Sequence, residues 1–283
     1  MAKLRTASAQ ITSPGPQGYV EYEVDIETVL RSDLPRLVSK IPLAPLTAEA
    51  IGQLPEGAKG AYVLFMDGHP VYAGKTDVRH GFRDRLSRHA FTIQNRENLD
   101  PSRIGFKAIR ILVFSNFDVE AILIDALTDA DETALAWNYR GFGSNDPGQN
   151  REGQEPAEFD VEFPINIDRK LDLLEPGAYD LLTILVQLKQ HVPFYFRYQT
   201  DHPPGKKRPV HFKKGHADQR SAAPVVVDAG DTLRVLLKKM LLALPAGWRV
   251  THFPGRVILY KNDKIYDHAL EAFTAQSISG DGA

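Results

Sequence analysis

The dipeptide Asp67-Gly68 constrains the fold of this chain more than any other local feature. It separates two short runs with β-strand character, residues 60–66 and 70–73. Asp-Gly favours a tight turn in which both central residues adopt positive φ, and the twist of this turn matches that of two antiparallel strands. The sequence therefore predicts a β-hairpin here.

Three further segments are predicted to form a third strand and two helices beside this hairpin. Residues 82–91 combine helix-forming residues with an arginine-rich face, residues 106–114 alternate like a strand, and residues 120–127 indicate an apolar helix. A hairpin, a third strand and two helices can pack as a small antiparallel sheet flanked by helices. The predicted fold class is therefore α+β.

A second α+β unit is predicted towards the C-terminus. Residues 141–153 are rich in Gly, Asn, Asp and Pro and indicate a loop. Four segments with helix or strand patterns follow this loop: 171–188, 193–198, 232–244 and 248–260.

These patterns divide the 283 residues into three parts. Residues 1–24 are polar, with Gly, Pro and Ser, and are predicted to form a flexible tail. Residues 25–164 are predicted to form the first domain and residues 165–283 a second, smaller domain. The sequence assigns no role to the second domain.

The chain contains no cysteine, which excludes disulfides and thiolate zinc sites. Any metal must then be held by oxygen or imidazole ligands, and this favours a hard ion such as Mg²⁺. No segment has the length and apolar character of a signal peptide or of a membrane span, which needs about 20 residues. We therefore expect a cytoplasmic protein with no membrane partner.

The formal net charge is −2, but the charges are unevenly distributed. Acidic residues concentrate between Asp118 and Asp180, and a basic stretch covers residues 197–220. Such runs either are solvated surface charges or form a basic face for a nucleic acid. A second basic stretch has nine Lys and Arg residues against four acidic ones: Lys75, Arg79, Arg83, Arg85, Arg88, Arg96, Arg103, Lys107 and Arg110.

One region carries side chains suited to phosphodiester hydrolysis, which needs a polarised phosphate, an activated water and charge stabilisation. Tyr62 and Tyr72 lie on the two strands of the predicted hairpin. Arg85 and His89 are four residues apart and so share one helix face. Glu120 begins the next helix and offers a hard oxygen ligand. Taken singly, each residue is more often explained by core packing or a solvated surface position than by catalysis.

The order of these residues resembles a known family. Gly60-Ala61-Tyr62, followed ten residues later by Tyr72-Ala73-Gly74, is similar to the motif pair of GIY-YIG nucleases, with alanine in place of isoleucine. The segments beginning at Phe82 and Glu120 resemble the arginine helix and metal-binding helix of that family. Trp137-Asn138 and the loop at residues 141–148 are similar to the type II restriction endonucleases that cut the palindrome CCGCGG. The resemblance covers about residues 25–165.

The resemblance implies a role for each candidate residue. Glu120 would be the only protein ligand of Mg²⁺, with Mn²⁺ as a substitute, and Arg85 would clamp the scissile phosphate. Tyr62 would activate the attacking water, with either His89 or Lys75 assisting its deprotonation. An acidic insertion around residues 128–133 makes Glu132 a competing metal ligand. The remaining residues would complete or brace the site: Tyr72, Lys75 and Asn138.

The predicted function is therefore that of a Mg²⁺-dependent type II restriction endonuclease that cuts double-stranded DNA at a GC-rich palindrome. Cutting both strands of a palindrome implies a homodimer, and such a system commonly includes a cognate DNA methyltransferase. Two alternatives stay open: a structure-specific or mobile-element nuclease of the same family, and a non-catalytic DNA-binding module with the same fold.

Overall fold

The computed structural model describes residues 10–14, 17, 20–23, 26–77, 79–110, 119–143, 152–206 and 208–280. Helices and antiparallel sheets occur together, and the protein is an α+β protein as predicted. It forms two compact units. The first contains the described residues of Met1–Ala90 and Asp100–Tyr139, and the second those of Phe91–Leu99 and Arg140–Ala283.

The first unit contains a four-stranded antiparallel sheet with the order β3–β6–β4–β5 and a separate pair of strands, β1 and β2. Its strands are β1 (Gln10–Pro14), β2 (Val20–Glu23), β3 (Ala44–Pro45), β4 (Gly60–Met66), β5 (His69–Lys75) and β6 (Ile104–Arg110). The helices that begin in it are α1 (Ile26–Lys40), α2 (Ala48–Gly52), α3 (Phe82–Gln94), α4 (Val119–Thr128) and α5 (Ala136–Tyr139).

The predicted hairpin is confirmed as β4 and β5, in which Met66 pairs with His69 across the turn. Asp67 has φ 50° and Gly68 has φ 82°, the positive values that this two-residue turn requires. The predicted helices at residues 82–91 and 120–127 are confirmed as α3 and α4. The third predicted strand is confirmed as far as Arg110, and its last four residues lie outside the described residues.

Successive side chains of β4 lie on opposite faces of the sheet, in two different environments. Ala61, Val63 and Phe65 belong to a core cluster that includes Leu34 of α1 and Leu123 of α4. Burial of this kind contributes about 25 cal/mol per Å² of apolar surface. Because side chains alternate along a strand, Tyr62 points to the opposite face of the sheet. The face opposite the α1–α4 core therefore carries the candidate site.

The second unit is built around helices α7 (Leu181–His191) and α9 (Leu233–Ala243), whose apolar faces share one core with its sheet strands. The four-stranded sheet has the order β12–β10–β11–β8, with β8 parallel to β11, and β7 pairs with β9. Its strands are β7 (Gly177–Tyr179), β8 (Tyr195–Tyr198), β9 (Val225–Val227), β10 (Trp248–Phe253), β11 (Arg256–Lys261) and β12 (Glu271–Thr274). Its further helices are α6 (Glu158–Glu162), α7 (Leu181–His191), α8 (Ala217–Ser221), α9 (Leu233–Ala243) and α10 (Ala275–Gly280).

The predicted domain boundary differs from the observed one. The second unit begins at Arg140 rather than near residue 165, also takes in Phe91–Leu99, and is the larger of the two. Long-range contacts within it explain the difference. Arg96 forms a buried ion pair with Asp160 at 2.7 Å, and the Ile165 amide donates to the Pro254 carbonyl. Composition cannot reveal such pairings, because the partners are distant in sequence.

The predicted flexible tail also differs from the structure. Within residues 1–24, β1 and β2 pair as antiparallel strands, with Ile11 opposite Tyr22. Apolar and polar residues alternate in Val20-Glu21-Tyr22-Glu23, and this pattern favours a strand over a tail. The rest of the tail, and most of the loop predicted at residues 141–153, lie outside the described residues.

No helix among the described residues is long and apolar enough to cross a membrane.

Candidate active site

The strand register brings the two hairpin tyrosines to the same face of the sheet. Tyr62 on β4 lies opposite Gly74 on β5, and Leu64 lies opposite Tyr72. The two tyrosine rings are 6.3 Å apart between centroids. Both side chains are buried, with 1% of Tyr62 and 7% of Tyr72 exposed.

Helix α3 adds a histidine to this pair. The Tyr62 hydroxyl forms a hydrogen bond of 2.8 Å with His89 Nε2. The His89 ring also contacts Tyr72 edge-on, with 5.2 Å between ring centroids. Three rings from β4, β5 and α3 thus form one buried cluster, and a histidine nitrogen lies where it can exchange a proton with Tyr62.

Burial keeps both members of this hydrogen bond uncharged in the free protein. Burial, with smaller contributions from the charges of Arg85 and Arg88, lowers the pKa of His89 to about 3. Burial also raises the pKa of Tyr62, an effect that Tyr72 reinforces and Arg85 opposes. At neutral pH the tyrosine therefore donates to a neutral imidazole.

Arg85 lies one helical turn before His89 and is half-buried. Its charge and a side-chain hydrogen bond act against the raised pKa of Tyr62. The Nε atom of Arg85 is buried and has no hydrogen-bond partner among the described residues. A buried donor without a partner costs about 1–3 kcal/mol, so an anion that accepts from this atom would be stabilised.

Lys75 and Glu120 meet at the end of β5, where Lys75 Nζ lies 3.5 Å from Glu120 Oε2. Both side chains are partly exposed. After burial, the charge of Glu120 is the largest contribution that raises the pKa of Tyr72. Glu132 is exposed in the turn before α5, and no hydrogen bond or ion pair joins it to the other described residues. The geometry groups Glu120, and not Glu132, with the tyrosines.

The implied Mg²⁺ would have Glu120 as its protein ligand. The described part of the chain contains no group of three or more His, Cys, Asp or Glu residues arranged to hold a metal ion. Mg²⁺ commonly keeps several water ligands and binds through only one or two carboxylates. A partly exposed carboxylate beside phenol groups fits this mode of binding.

Asn138 contacts the backbone of the hairpin rather than the other candidate side chains. Its Oδ1 accepts from the Ala73 amide at 2.8 Å, and its Nδ2 donates to the Ala73 carbonyl at 2.9 Å. The Leu135 amide also donates to the Pro70 carbonyl. Because β5 is an edge strand, these bonds occupy its unpaired backbone groups. Asn138 therefore positions the strand that carries Tyr72.

Many residues of the basic stretch from Lys75 to Arg110 have structural contacts that the charge pattern did not reveal. Arg103 pairs with Asp67, and Lys107 donates to the Val38 carbonyl at 2.9 Å. Arg83 donates to the Leu54 carbonyl, and the ion pairs of Lys75 and Arg96 are described above. Fewer exposed cations of this stretch form no side-chain hydrogen bond or ion pair with the described residues: Arg79, Arg88 and Arg110.

Gly74 is a site residue that the sequence analysis did not single out. A Cβ atom at this position would lie 2.7 Å from Tyr62 Oη and 2.9 Å from Tyr72 Cε1. Real Cβ contacts are essentially never this short. The glycine of the Tyr72-Ala73-Gly74 motif thus leaves room for the hydroxyl of the tyrosine on the neighbouring strand. Only the cross-strand register reveals this relation.

Gly74→Ala is expected to displace the Tyr62 hydroxyl from His89. Tyr62 is buried beside Tyr72 and His89, so we expect the free energy of unfolding to fall by about 1–3 kcal/mol, as in overpacked protein cores. Denaturant titration measures this loss. Gly52→Ala is a matched control because its Cβ would meet nothing within 4 Å. Equal stability of the two variants would contradict the close approach at Gly74.

Acid is expected to destabilise the protein through His89. Its pKa is 6.5 in the unfolded chain and about 3 when folded. Below pH 6.5 the unfolded chain binds a proton that the folded protein excludes, so stability decreases as the pH falls towards 3. The contribution of this group is about 1.4 kcal/mol per pH unit.

The measurement is the free energy of unfolding against pH for the natural protein and for His89→Gln. The variant should lack this part of the slope, whereas His268→Gln, at an exposed position, should keep it. Identical slopes in the natural protein and His89→Gln would refute the buried neutral imidazole.

The sequence matches no protein-family model, and a comparison with curated proteins finds no significant match.

Proposed function

We propose that the protein is a Mg²⁺-dependent DNA endonuclease of the GIY-YIG type, acting as a type II restriction enzyme. One observation carries the proposal: the buried hydrogen bond between Tyr62 and His89 lies beside Arg85, whose Nε has no partner among the described residues. A proton acceptor, an ionisable oxygen and an anion-binding group thus adjoin one another. Phosphodiester hydrolysis uses these three components.

In the proposed mechanism, Arg85 holds the scissile phosphate and stabilises the charge that develops on its oxygens. Tyr62 passes its hydroxyl proton to His89 and, as the phenolate, accepts a proton from the attacking water. The resulting hydroxide forms a bond to phosphorus while the bond to the leaving sugar oxygen breaks. That oxygen then takes up a proton from solvent, and His89 releases to solvent the proton that it received from Tyr62.

A bound phosphate would make His89 a better proton acceptor, while it would also offset the effect of Arg85 that lowers the pKa of Tyr62. The positive charge of Arg85 contributes to the lowered pKa of His89, and an anion on Arg85 would offset that charge. The metal, when bound at Glu120, would supply Lewis-acid polarisation of the phosphate. Lys75 already lies near Glu120 and would keep positive charge close to the reacting group.

The finer parts of the proposal rest on the resemblance of residues 141–148 to enzymes that cut CCGCGG. They are cleavage at that palindrome, a homodimer that presents one active site to each strand, and protection of host DNA by a cognate methyltransferase. Symmetric DNA sites are generally bound by symmetric dimers.

The test is cleavage of unmethylated plasmid by the purified protein with Mg²⁺, with Mn²⁺ and with EDTA. Discrete fragments that require the divalent ion, and whose ends map to one palindrome, are the expected result. Cleavage of branched DNA without a sequence preference would assign the chemistry to a structure-specific or mobile-element nuclease instead.

A second candidate function is a DNA-binding module without catalysis. The raised pKa of Tyr62 favours it, because a neutral phenol is a weak base. DNA binding with no cleavage under any divalent ion would select this function over the nuclease.

A further inference from the structure

A groove lined by both polar and apolar side chains, including Leu182 and Val186, runs along helix α7 in the second unit, and we call it the α7 groove. One wall is the exposed side of α7, including Thr183, Gln187 and Gln190. The other wall includes Lys213 and Arg220, from the segment that ends in α8. The groove is open to solvent and encloses about 600 Å³.

The polar side chains of the α7 wall form no hydrogen bond with the rest of the described chain. Thr183, Gln187 and Gln190 are spaced by four and three residues and therefore share one face of α7. The opposite face is buried in the core through Leu181 and Leu185, among others. An outward row of amide and hydroxyl groups is thus available to an external partner.

On the second wall Lys213 has no ion pair with the described residues, whereas Arg220 is paired with Asp201, and Asp180 is the acidic residue that also lines the groove. Asp218 is already paired with Lys261 at 2.8 Å and accepts from Trp248. Lys213 and Lys214 are exposed and form no ion pair with the described residues, and the same holds for Lys206. Phosphate groups are the anions that such lysines commonly contact.

Arg220 holds this wall in place rather than serving as a free cation. It pairs with Asp201 at 2.8 Å and donates to the Lys214 carbonyl at 2.6 Å. The Gly215 carbonyl also accepts from it. These bonds fix the chain that carries Lys213 and Lys214, so the two lysines extend from an ordered support.

We propose that the α7 groove binds the sugar-phosphate backbone of double-stranded DNA. Lys213 in the groove and the adjacent Lys214 contact phosphates, and Gln187 and Gln190 on the other wall donate hydrogen bonds to oxygens of the DNA backbone. The choice of DNA as the occupant rests on the proposed nuclease function. The second unit then contributes affinity that is independent of sequence, while cleavage remains with the first unit.

The experiment measures binding of a fluorescein-labelled DNA duplex to the full chain by anisotropy, in EDTA, over a range of salt concentrations. The variant is Lys213→Gln with Lys214→Gln. Two lost phosphate contacts should lower the slope of log affinity against log salt by about 1.8 and weaken binding roughly tenfold at low salt. Gln187→Ala should weaken binding without changing that slope, because it removes no charge.

Lys238→Gln with Lys264→Gln removes the same charge from side chains that do not line the groove, and should leave binding unchanged. Thermal unfolding of each variant establishes that it is folded. If the natural protein cleaves DNA and the Lys213/Lys214 variant binds like this control, the groove proposal fails while the nuclease proposal stands. If the natural protein never cleaves DNA but binds it through these lysines, the groove proposal stands and the nuclease proposal fails. A natural protein that binds no duplex overturns the groove proposal.

Discussion

Tyr62→Phe is expected to lower the rate of DNA cleavage by roughly 10²- to 10⁴-fold, the usual contribution of a positioned general base. The substitution removes only the hydroxyl, which forms the 2.8 Å hydrogen bond with His89. The ring and its contacts with Tyr72 and His89 can remain. Single-turnover cleavage of plasmid with saturating Mg²⁺ measures the chemical step directly.

Tyr139→Phe makes the same chemical change at a tyrosine that is 66% exposed, and it should leave the rate unchanged. DNA affinity of Tyr62→Phe, measured in EDTA, should also stay near that of the natural protein. A Tyr62→Phe protein that is folded and cleaves at the natural rate would exclude the tyrosine mechanism, whatever the substrate.

Glu120→Ala is expected to abolish cleavage, with a loss of about 10³-fold or more, because a catalytic metal contributes several kcal/mol to transition-state stabilisation. The charge of Glu120 raises the pKa of Tyr72 and, as a smaller effect, that of Tyr62. Its removal therefore makes both phenols easier to ionise. A loss of activity then reports on the metal and not on a smaller fraction of phenolate.

Glu132→Ala is the matched control, since it removes the competing carboxylate of the acidic insertion. Cleavage rates over a range of Mg²⁺ concentrations should show weakened metal dependence for Glu120→Ala alone. The opposite result, with activity lost in Glu132→Ala and retained in Glu120→Ala, would transfer the metal role to Glu132. The metal site would then lie at Glu132 and not beside the ion pair of Glu120 with Lys75.

The sequence predicted which candidate residues lie together only where their spacing along one helix or across one turn determined this. Arg85 and His89 share a face because they are four apart on a helix, and the turn at Asp67-Gly68 places β4 beside β5. The pairing of Tyr62 with Gly74 needed the register of the hairpin, which composition does not specify. The backbone contacts of Asn138 join residues 65 positions apart and have no local signal.

The number of basic residues in a stretch of sequence likewise does not predict how many of them are free on the surface. Nine basic residues in one stretch favour a basic face, yet Arg96 is buried against Asp160 and Arg103 is paired with Asp67. An ion pair depends on which side chains meet in space, and sequence gives only their order. The surface cations are therefore a smaller set than the count predicts.

The sequence by itself determined the α+β class, the hairpin with its positive-φ turn, and the helices that follow, because these depend on residues close in the chain. Tertiary structure alone decided the unit boundary, the space that Gly74 leaves for Tyr62, and the protonation of His89. These properties depend on burial and on contacts between distant segments. Burial removes water from the imidazole and so favours its neutral form, an effect that only the folded surroundings can produce.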